Sequence, residues 1–204
     1  MARPREFDEE KVLDKITALF WEKGFESTSL DNIINVSGLN KGSLYSCFGN
    51  KEKLFRLALE NYSVKGPFHR FQEHESPLQR LAAFYSRLVV NAVEQKQARR
   101  GCFVFNSCLE FANKKGSLAA FVSNVGRRNE VFFHKLMNEA KEKGELSEKV
   151  DPVKAAERAH ATAFTIREMS KFKPDKEFLA DIANSFFESI GATERILQKS
   201  PEVI

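Results

Sequence analysis

The sequence has few of the residues from which disulfide frameworks, metal sites and catalytic loops are built. Its 204 residues include three cysteines and four histidines. The histidines, at positions 69, 74, 134 and 160, are scattered and lack the spacing of metal-ligand motifs such as H-E-x-x-H. Three cysteines in an otherwise ordinary composition argue against a disulfide framework. We therefore expect neither a metal nor a cofactor.

Catalytic and membrane motifs are missing as well. There is no Gly-rich phosphate loop and no G-x-S-x-G nucleophile elbow, and paired carboxylates occur only as ordinary helix charges. An enzyme is therefore not expected. The sequence also shows no signal peptide, membrane span or lipidation motif, which predicts a cytoplasmic protein.

Proline is sparse, with 6 residues, and every strong apolar pattern has a helical period. Residues 102–112 are almost all apolar and could also form a strand, but no partner strand is evident, so we predict a buried helix. The fold class expected is all-α, with about nine helices. Gly66-Pro67 interrupts the helical pattern. We therefore place one domain at residues 1–65 and a second at residues 66–198.

Residues 28–51 carry the most informative pattern, two short helices joined by a tight turn. Thr28 followed by Asp31 has the form of a capping box, which predicts a helix start. Gly38 suits the helix end, because glycine accepts a positive φ, and Asn40 can cap the second helix. Leu44 and Phe48 lie four residues apart on one face, which must point inward.

The other face of this second helix is small, polar and cationic, as a recognition helix in a DNA groove requires. Gly42 lets the backbone approach DNA closely, while lysine, serine and tyrosine side chains supply donors for phosphates and base edges. The predicted DNA-contacting residues are Thr28, Ser29, Lys41, Gly42, Ser43, Tyr45, Ser46 and Lys51.

This segment resembles the DNA-binding domain of the TetR family of bacterial repressors. The pattern of that family is matched in register by Thr28, Ser29, Ile33, Gly38, Leu39, Asn40, Lys41, Gly42, Ser43, Leu44, Tyr45, Phe48, Lys51 and Leu54. The resemblance is sharp over roughly residues 8–65. It implies an N-terminal three-helix helix-turn-helix domain followed by a helical domain that binds an effector and dimerises. The short side chains of Ser46 and Cys47 depart from the pattern.

The charge of the N-terminal part is balanced, which is unusual for a nucleic-acid binder. Residues 1–65 hold ten Lys/Arg and ten Asp/Glu, and the whole chain has a net charge of +4. Local segregation would reconcile this with DNA binding, because residues 37–65 contain five cations and only Glu52 and Glu60. Arg3 and Arg5 form a short basic tail, which either contacts DNA or is disordered.

The C-terminal part is rich in phenylalanine, and most of these rings are expected to fill a core. The TetR resemblance nevertheless implies an apolar ligand pocket with a few polar groups. Its predicted wall residues are Phe84, Tyr85, Leu88, Cys102, Phe105, Asn106, Leu109, Phe133, Phe164 and Arg167. Asn106 and Arg167 are the polar members that would contact a ligand. Alternatively, Asn106 is a buried amide whose hydrogen bonds are satisfied within the protein, and Arg167 is a solvated or ion-paired surface residue.

Cys102 follows Arg99-Arg100-Gly101 and is predicted near a helix start. Nearby cations and a helix N-terminus favour the reactive thiolate, and the Arg-Gly-Cys-Phe stretch resembles a TetR branch that includes cysteine sensors. The alternative is a small buried hydrophobe. An adduct or a sulfenic acid at Cys102 is favoured over a disulfide with Cys108, because six residues of straight helix place the two on different faces roughly 9 Å apart, beyond the ~7 Å limit for a disulfide.

The last two helices are predicted to form a dimer interface, as they do in the TetR family. One presents a face of small residues and the other a wide apolar stripe, and both faces could instead pack within one monomer. The predicted interface residues are Ala156, Ala159, Ala163, Phe178, Ile182, Phe186 and Ile190.

These patterns predict a dimeric transcriptional regulator, most simply a repressor. A small-molecule inducer or a thiol-reactive signal would release it from a palindromic operator. The alternative is a ligand- or redox-sensing helical dimer whose DNA binding is weak or lost.

Overall fold

The computed structural model describes residues 7–66, 76–94 and 100–196, and within these ranges the chain forms nine α-helices and no strand. The predicted all-α class is confirmed. The helices are α1 Glu9–Lys23, α2 Leu30–Ser37, α3 Lys41–Phe48, α4 Lys51–Lys65, α5 Pro77–Glu94, α6 Phe103–Phe111, α7 Ser117–Glu142, α8 Pro152–Met169 and α9 Lys176–Ser189. The basic tail with Arg3 and Arg5 lies outside the described residues.

Side-chain caps explain where several helices begin. Asp8 accepts hydrogen bonds from the amides of Glu10 and Lys11 at the start of α1, at 3.1 and 3.2 Å. Asp151 caps α8, with Pro152 in its first turn, and Asp175 caps α9. Each cap satisfies amides that have no partner within the helix.

A turn and a returning segment follow the last helix, α9. After α9 ends at Ser189, Gly191 takes a positive φ of 70° and turns the chain. Asn184 then holds the returning segment, because its side chain pairs with both the amide and the carbonyl of Ile196, at 2.9 and 3.4 Å. The Asn184 side chain thus supplies both backbone groups of Ile196 with hydrogen-bond partners outside a helix.

Packing divides the chain into two compact units. The first comprises the chain up to Lys65 together with Phe103–Gly126, so α6 and the first turns of α7 pack with the N-terminal helices. Its centre is aromatic: the Phe55 ring lies 5.1 Å from Phe20, 5.7 Å from Phe103 and 5.8 Å from Phe111. The predicted boundary at residue 65 assigns α6 to the second domain, whereas α6 packs within the first unit. The boundary therefore stays a prediction about which residues bind DNA and which bind an effector.

The second unit contains α5, the rest of α7, α8 and α9. In its core, the Tyr85 hydroxyl donates to the Ala159 carbonyl at 2.8 Å, which satisfies a fully buried polar group. At its edge, the Glu145 carboxylate accepts from Ser76 Oγ and the Leu78 amide, at 2.9 and 3.0 Å, and thereby caps α5.

None of the described helices combines the length and apolarity needed to cross a membrane. Across the same ranges, no three or more His, Cys, Asp or Glu side chains come together in a way that could hold a metal ion. The three cysteines are all free thiols.

Candidate nucleic-acid interface

The start of α2 is capped one residue later than predicted. Ser29, not Thr28, forms the capping box: Ser29 Oγ accepts from the Asn32 amide at 3.1 Å, and Asn32 Oδ1 accepts from the Ser29 amide at 3.2 Å. Thr28 is completely buried, and its hydroxyl donates to the Gly24 carbonyl at 2.6 Å. The prediction that Thr28 contacts the DNA backbone is therefore wrong for its side chain, whereas Ser29 is exposed.

The turn between α2 and α3 has the predicted geometry. Gly38 adopts the left-handed conformation at φ 71° that ends α2. Asn40 caps α3, since its Oδ1 accepts from the Ser43 amide at 2.8 Å. Leu44 is completely buried and Phe48 is 7% exposed. These two anchors fix which face of α3 points outward.

The outward face of α3 carries the predicted recognition residues. Lys41, Gly42, Tyr45 and Ser46 are exposed, and Ser43 is half-buried. A Cβ added to Gly42 would meet only Asn40 Oδ1, at 3.4 Å, so packing within the chain does not require glycine there. A requirement for glycine at this position would have to come from outside the chain, as close approach to DNA would.

Lys51, at the start of α4, is folded against the turn between α1 and α2. Its Nζ lies 4.5 Å from the centre of the Phe25 ring and 3.5 Å from the Glu26 carbonyl oxygen. The ammonium is therefore held in one place by a ring face and a carbonyl. An ammonium has three N–H donors, so this arrangement leaves donors for a phosphate.

The proposed excess of cations in residues 37–65 is smaller than the sequence count indicated. Arg56 pairs with Glu52 at 2.8 Å, and Lys65 pairs with Glu10 at 2.8 Å and Asp14 at 2.7 Å. The Lys65 and Asn61 hydrogen bonds lower the pKa of the Asp14 carboxyl. The cations in this range that are not tied to a carboxylate by these ion pairs lie on α3 and in the first turn of α4.

Four of the predicted ligand-wall residues lie in the core of the second unit. Phe84, Tyr85 and Phe133 are completely buried and Leu88 is 3% exposed, and all four belong to one continuous core. This location favours the expectation that most rings fill the core. Phe164 and Arg167 on α8 are half-buried.

The other predicted wall residues on α6 belong to the first unit, so neither unit holds the whole predicted set. Asn106 lines a cleft of about 310 Å³ beside the end of α1, together with Trp21, Ser107 and Glu110. Leu109 is 60% exposed, so its prediction as a pocket wall is wrong. The apolar pattern of α6 placed Leu109 inside, but its side chain projects away from the aromatic cluster.

Cys102 immediately precedes α6 rather than lying in its first turn. It is 7% exposed, and its backbone amide donates to Glu168 Oε1 at 3.3 Å. Reactive cysteines are usually partly exposed in a cationic environment. The location therefore favours the buried-hydrophobe alternative, and the sensor role remains a prediction.

Five of the predicted dimer-interface residues are buried inside the monomer. Each is at most 4% exposed, because α8 and α9 pack against each other and against α5. Periodicity identified an apolar face correctly but assigned it to the wrong partner. The residues corrected are Ala156, Ala159, Ala163, Phe186 and Ile190. Phe178 and Ile182 are only partly buried against this core and stay predictions.

One contact at the α1–α2 turn, next to Lys51, has no signal in the sequence. The Glu110 carboxylate on α6 accepts hydrogen bonds from the backbone amides of Phe25 and Glu26, at 2.9 and 2.8 Å. These residues are separated by 85 and 84 positions in the chain. No local pattern signals such a pairing, although the glycine that ends α1 is compatible with it.

The α2–turn–α3 pair, with its apolar face buried and its polar face outward, defines a helix-turn-helix DNA-binding protein. Residues 12–58 match the model of the "Bacterial regulatory proteins, tetR family", and residues 77–186 match that of the "Tetracyclin repressor-like, C-terminal domain". The chain belongs to the TetR family of transcriptional regulators, as the motif residues predicted.

Individual relatives agree with this assignment. The chain is 30% identical over 159 residues to the HTH-type transcriptional repressor ComR of Escherichia coli, covering 76% of this chain and 75% of ComR. A structure of the regulator CifR, a cysteine mutant bound to operator DNA, has a TM-score of 0.77 at 23% identity, over 90% of this chain and 98% of CifR. AibR, solved with isovaleryl coenzyme A and operator DNA, has a TM-score of 0.64 at 23% identity, over 89% and 97%. The two structures share the fold.

Proposed function

We propose that the protein is a transcriptional repressor that binds a palindromic operator as a homodimer. The observation that carries this proposal is the outward face of α3, where exposed polar and cationic side chains lie above the buried Leu44 and Phe48. A two-fold dimer would place one α3 in each of two successive major grooves. The repressor direction is supported by the name of the relative ComR. A repressor acting on a bacterial chromosome would work in the cytoplasm.

The residues proposed to contact DNA divide into two roles. Lys41, Gly42 and Ser43, in the first turn of α3, would face base edges in the major groove. Tyr45, Ser46, Lys51 and the exposed cap Ser29 would donate to phosphates, which fixes the register of the protein on the duplex.

Dimerisation is proposed through the outer faces of α8 and α9, because their inner faces are already covered. Of the residues predicted from sequence, Phe178 and Ile182 remain able to contact a partner. Equilibrium sedimentation at micromolar protomer concentration tests this step. A monomer at that concentration would contradict it.

We assign DNA binding to residues 1–65 and effector binding and dimerisation to residues 66–198, and the family models that match residues 12–58 and 77–186 support this division. A small-molecule inducer would act by binding more tightly to a dimer whose recognition helices do not match the half-site spacing, since only differential affinity shifts such an equilibrium. The half-buried candidates for direct ligand contact are Phe164 and Arg167 within the second unit and, separately, Phe105 and Asn106 within the first.

Selection of bound fragments from genomic DNA at two salt concentrations tests the function. A recovered palindrome, with affinity that falls steeply as salt rises, is the expected result, because phosphate contacts release counterions. No enrichment at low salt would contradict the proposal. It would favour the ligand- or redox-sensing dimer without DNA binding.

A further inference from the structure

The turn between α1 and α2 is held by a side chain from α6. The two carboxylate oxygens of Glu110 accept from the amides of Phe25 and Glu26, at 2.9 and 2.8 Å, so one oxygen serves each amide. Gly24 makes this approach possible, because a Cβ there would lie 2.8 Å from Glu110 Oε2. Hydrogen bonds from amides to a carboxylate are stronger than those to a neutral acceptor.

The same peptide segment supports Lys51. The Glu26 amide donates to Glu110, while the Glu26 carbonyl accepts from Lys51 Nζ at 3.5 Å. The Phe25 ring lies beneath that ammonium at 4.5 Å and is flanked by the Phe55 and Phe111 rings at 5.1 and 5.7 Å. Glu110 and Lys51 are therefore linked through the backbone of one residue, Glu26, whose N–H donates to Glu110 and whose carbonyl accepts from Lys51.

The energetic consequence concerns the freedom of a long side chain. A lysine side chain that is free in solution loses considerable conformational entropy when it binds a phosphate. A lysine whose ammonium is already held near its binding position loses less, and this preorganisation strengthens binding. The Phe25 ring and the Glu26 carbonyl can hold the Lys51 ammonium only if the turn that carries them is itself fixed.

We propose that Glu110 is a positioning residue for DNA binding, which fixes the α1–α2 turn so that Lys51 is preorganised to donate to a phosphate. This proposal rests on the proposed function, in which Lys51 contacts the operator. Helix α6 would then influence operator affinity indirectly, through a carboxylate that does not itself contact DNA.

Electrostatics alone predicts the opposite sign for the loss of Glu110. Removing a carboxylate makes the protein more positive, which by itself strengthens binding to the phosphate backbone. If Glu110 positions Lys51, its removal weakens binding despite the added positive charge. Glu142, an exposed carboxylate on α7, supplies the matched control, since Glu142→Ala makes the same change in charge.

The test is a double-mutant cycle on the full-length protein and its selected operator. We expect Glu110→Ala to weaken operator binding about fivefold in the wild-type background, which is part of the whole Lys51 contribution, and less than about twofold in the Lys51→Ala background. Glu110→Gln, which keeps one acceptor oxygen at the same length, is expected to fall between wild type and Glu110→Ala. Glu142→Ala is expected to stay within about twofold of wild type. An equal loss in both Lys51 backgrounds, or tighter binding by Glu110→Ala, would overturn the proposal.

Amide hydrogen exchange separates the failure of this proposal from failure of the proposed function. In the free protein, Glu110→Ala is expected to accelerate exchange at Phe25 and Glu26 while leaving the core amides of α4 unchanged. If the wild-type protein selects no operator, the proposed function fails and the exchange result still reports whether the carboxylate holds the turn. Unchanged exchange at both residues would overturn the positioning role irrespective of any DNA measurement.

Discussion

The recognition helix α3 and the helix pair α8–α9 use their side chains in opposite ways. Helix α3 has eight residues, buries Leu44 and Phe48, and leaves most of its polar residues in solvent. On the inner faces of α8 and α9, five alanine and phenylalanine side chains are almost completely covered by one another and by α5, namely Ala156, Ala159, Ala163, Phe186 and Phe187. A short helix held by two anchors can present a surface, whereas α8 and α9 chiefly build a core.

This contrast separates residues whose loss should affect DNA binding from residues whose loss should affect folding. Tyr45 on α3 is 39% exposed, while Tyr85 in the second unit is completely buried. Matched substitutions in the two regions therefore give opposite expectations for stability and for operator affinity.

The largest expected effect is on stability, for truncation of Phe187 on α9. Its ring is completely buried and lies 5.9 Å from Tyr85 and 5.4 Å from Phe186. We expect Phe187→Ala to lower the free energy of unfolding by about 3–5 kcal/mol, because lost apolar contacts and a residual cavity add. Urea denaturation at a fixed protomer concentration measures this change.

Tyr45→Ala on α3 is the matched control for the Phe187 measurement. Truncating this exposed ring is expected to change the unfolding free energy by less than about 0.5 kcal/mol. Equal destabilisation by the two variants would show that the Tyr45 ring is packed in the fold and does not form part of an exposed surface.

The sequence predicts the arrangement of α3 better than that of α8 and α9, and the reason is physical. Periodicity and capping residues specify which side chains share a face, and for α3 this was sufficient, because Leu44, Phe48, Gly38 and Asn40 act within a few residues of each other. Periodicity cannot say what covers an apolar face. The Ala159 face of α8 was therefore assigned to a second protomer, although α5 and α9 cover it in the same chain.

Two further errors have a related origin. Thr28 and Ser29 are both good helix caps, and capping preference alone does not decide that Thr28 is the buried one, with its hydroxyl bonded to the carbonyl of Gly24 four residues earlier. The Glu110 contact with Phe25 and Glu26 joins residues more than 80 positions apart, so no local pattern carries it. For Glu110 the missing information is a long-range contact, whereas for Thr28 it is the packing that buries the side chain.

The second prediction distinguishes two kinds of contact on the exposed surface of the helix-turn-helix. Lys51→Ala is expected to weaken binding about tenfold on operator and non-specific DNA alike. The slope of log affinity against log salt should fall in magnitude by about 0.9, because one phosphate contact is lost. Ser43→Ala is expected to alter sequence preference by about 1 kcal/mol at one position of each half-site. Fluorescence anisotropy on a set of operator variants measures both, and a loss independent of sequence for Ser43→Ala would refute its base-reading role.

The third prediction uses the two tyrosines. Tyr85→Phe removes the hydroxyl that donates to the Ala159 carbonyl at 2.8 Å, and is expected to cost about 1 kcal/mol at neutral pH. Burial raises the pKa of Tyr85 well above its usual value, although a hydrogen bond with Thr162 opposes this shift. Tyr45→Phe, on the exposed face of α3, should change the unfolding free energy at neutral pH by less than about 0.5 kcal/mol.

The raised pKa also predicts a dependence on pH. Above about pH 10 the tyrosine ionises in the unfolded chain but stays protonated in the folded one, so the unfolded state binds fewer protons. The Tyr85 contribution to stability is therefore complete below about pH 10 and is lost as pH rises above it, by roughly 1.4 kcal/mol per pH unit. Urea denaturation on both sides of that pH should show a shallower decline for Tyr85→Phe than for wild type. Identical declines would contradict the buried, protonated tyrosine.

The smallest expected effect concerns Cys102, whose chemistry the sequence left undecided. At 7% exposed, it should react with iodoacetamide more slowly than the half-buried Cys47 and Cys108, and urea should remove the difference. Mass spectrometry of the labelled peptides measures these rates. Operator release by the same reagent should then be equal in wild type and Cys102→Ala, because any release would arise from another thiol. Fast labelling of Cys102, together with release only in the wild type, would reverse this conclusion and establish a sensor. That result would require the segment before α6 to open in the native protein, since local opening is how a buried thiol reaches solvent.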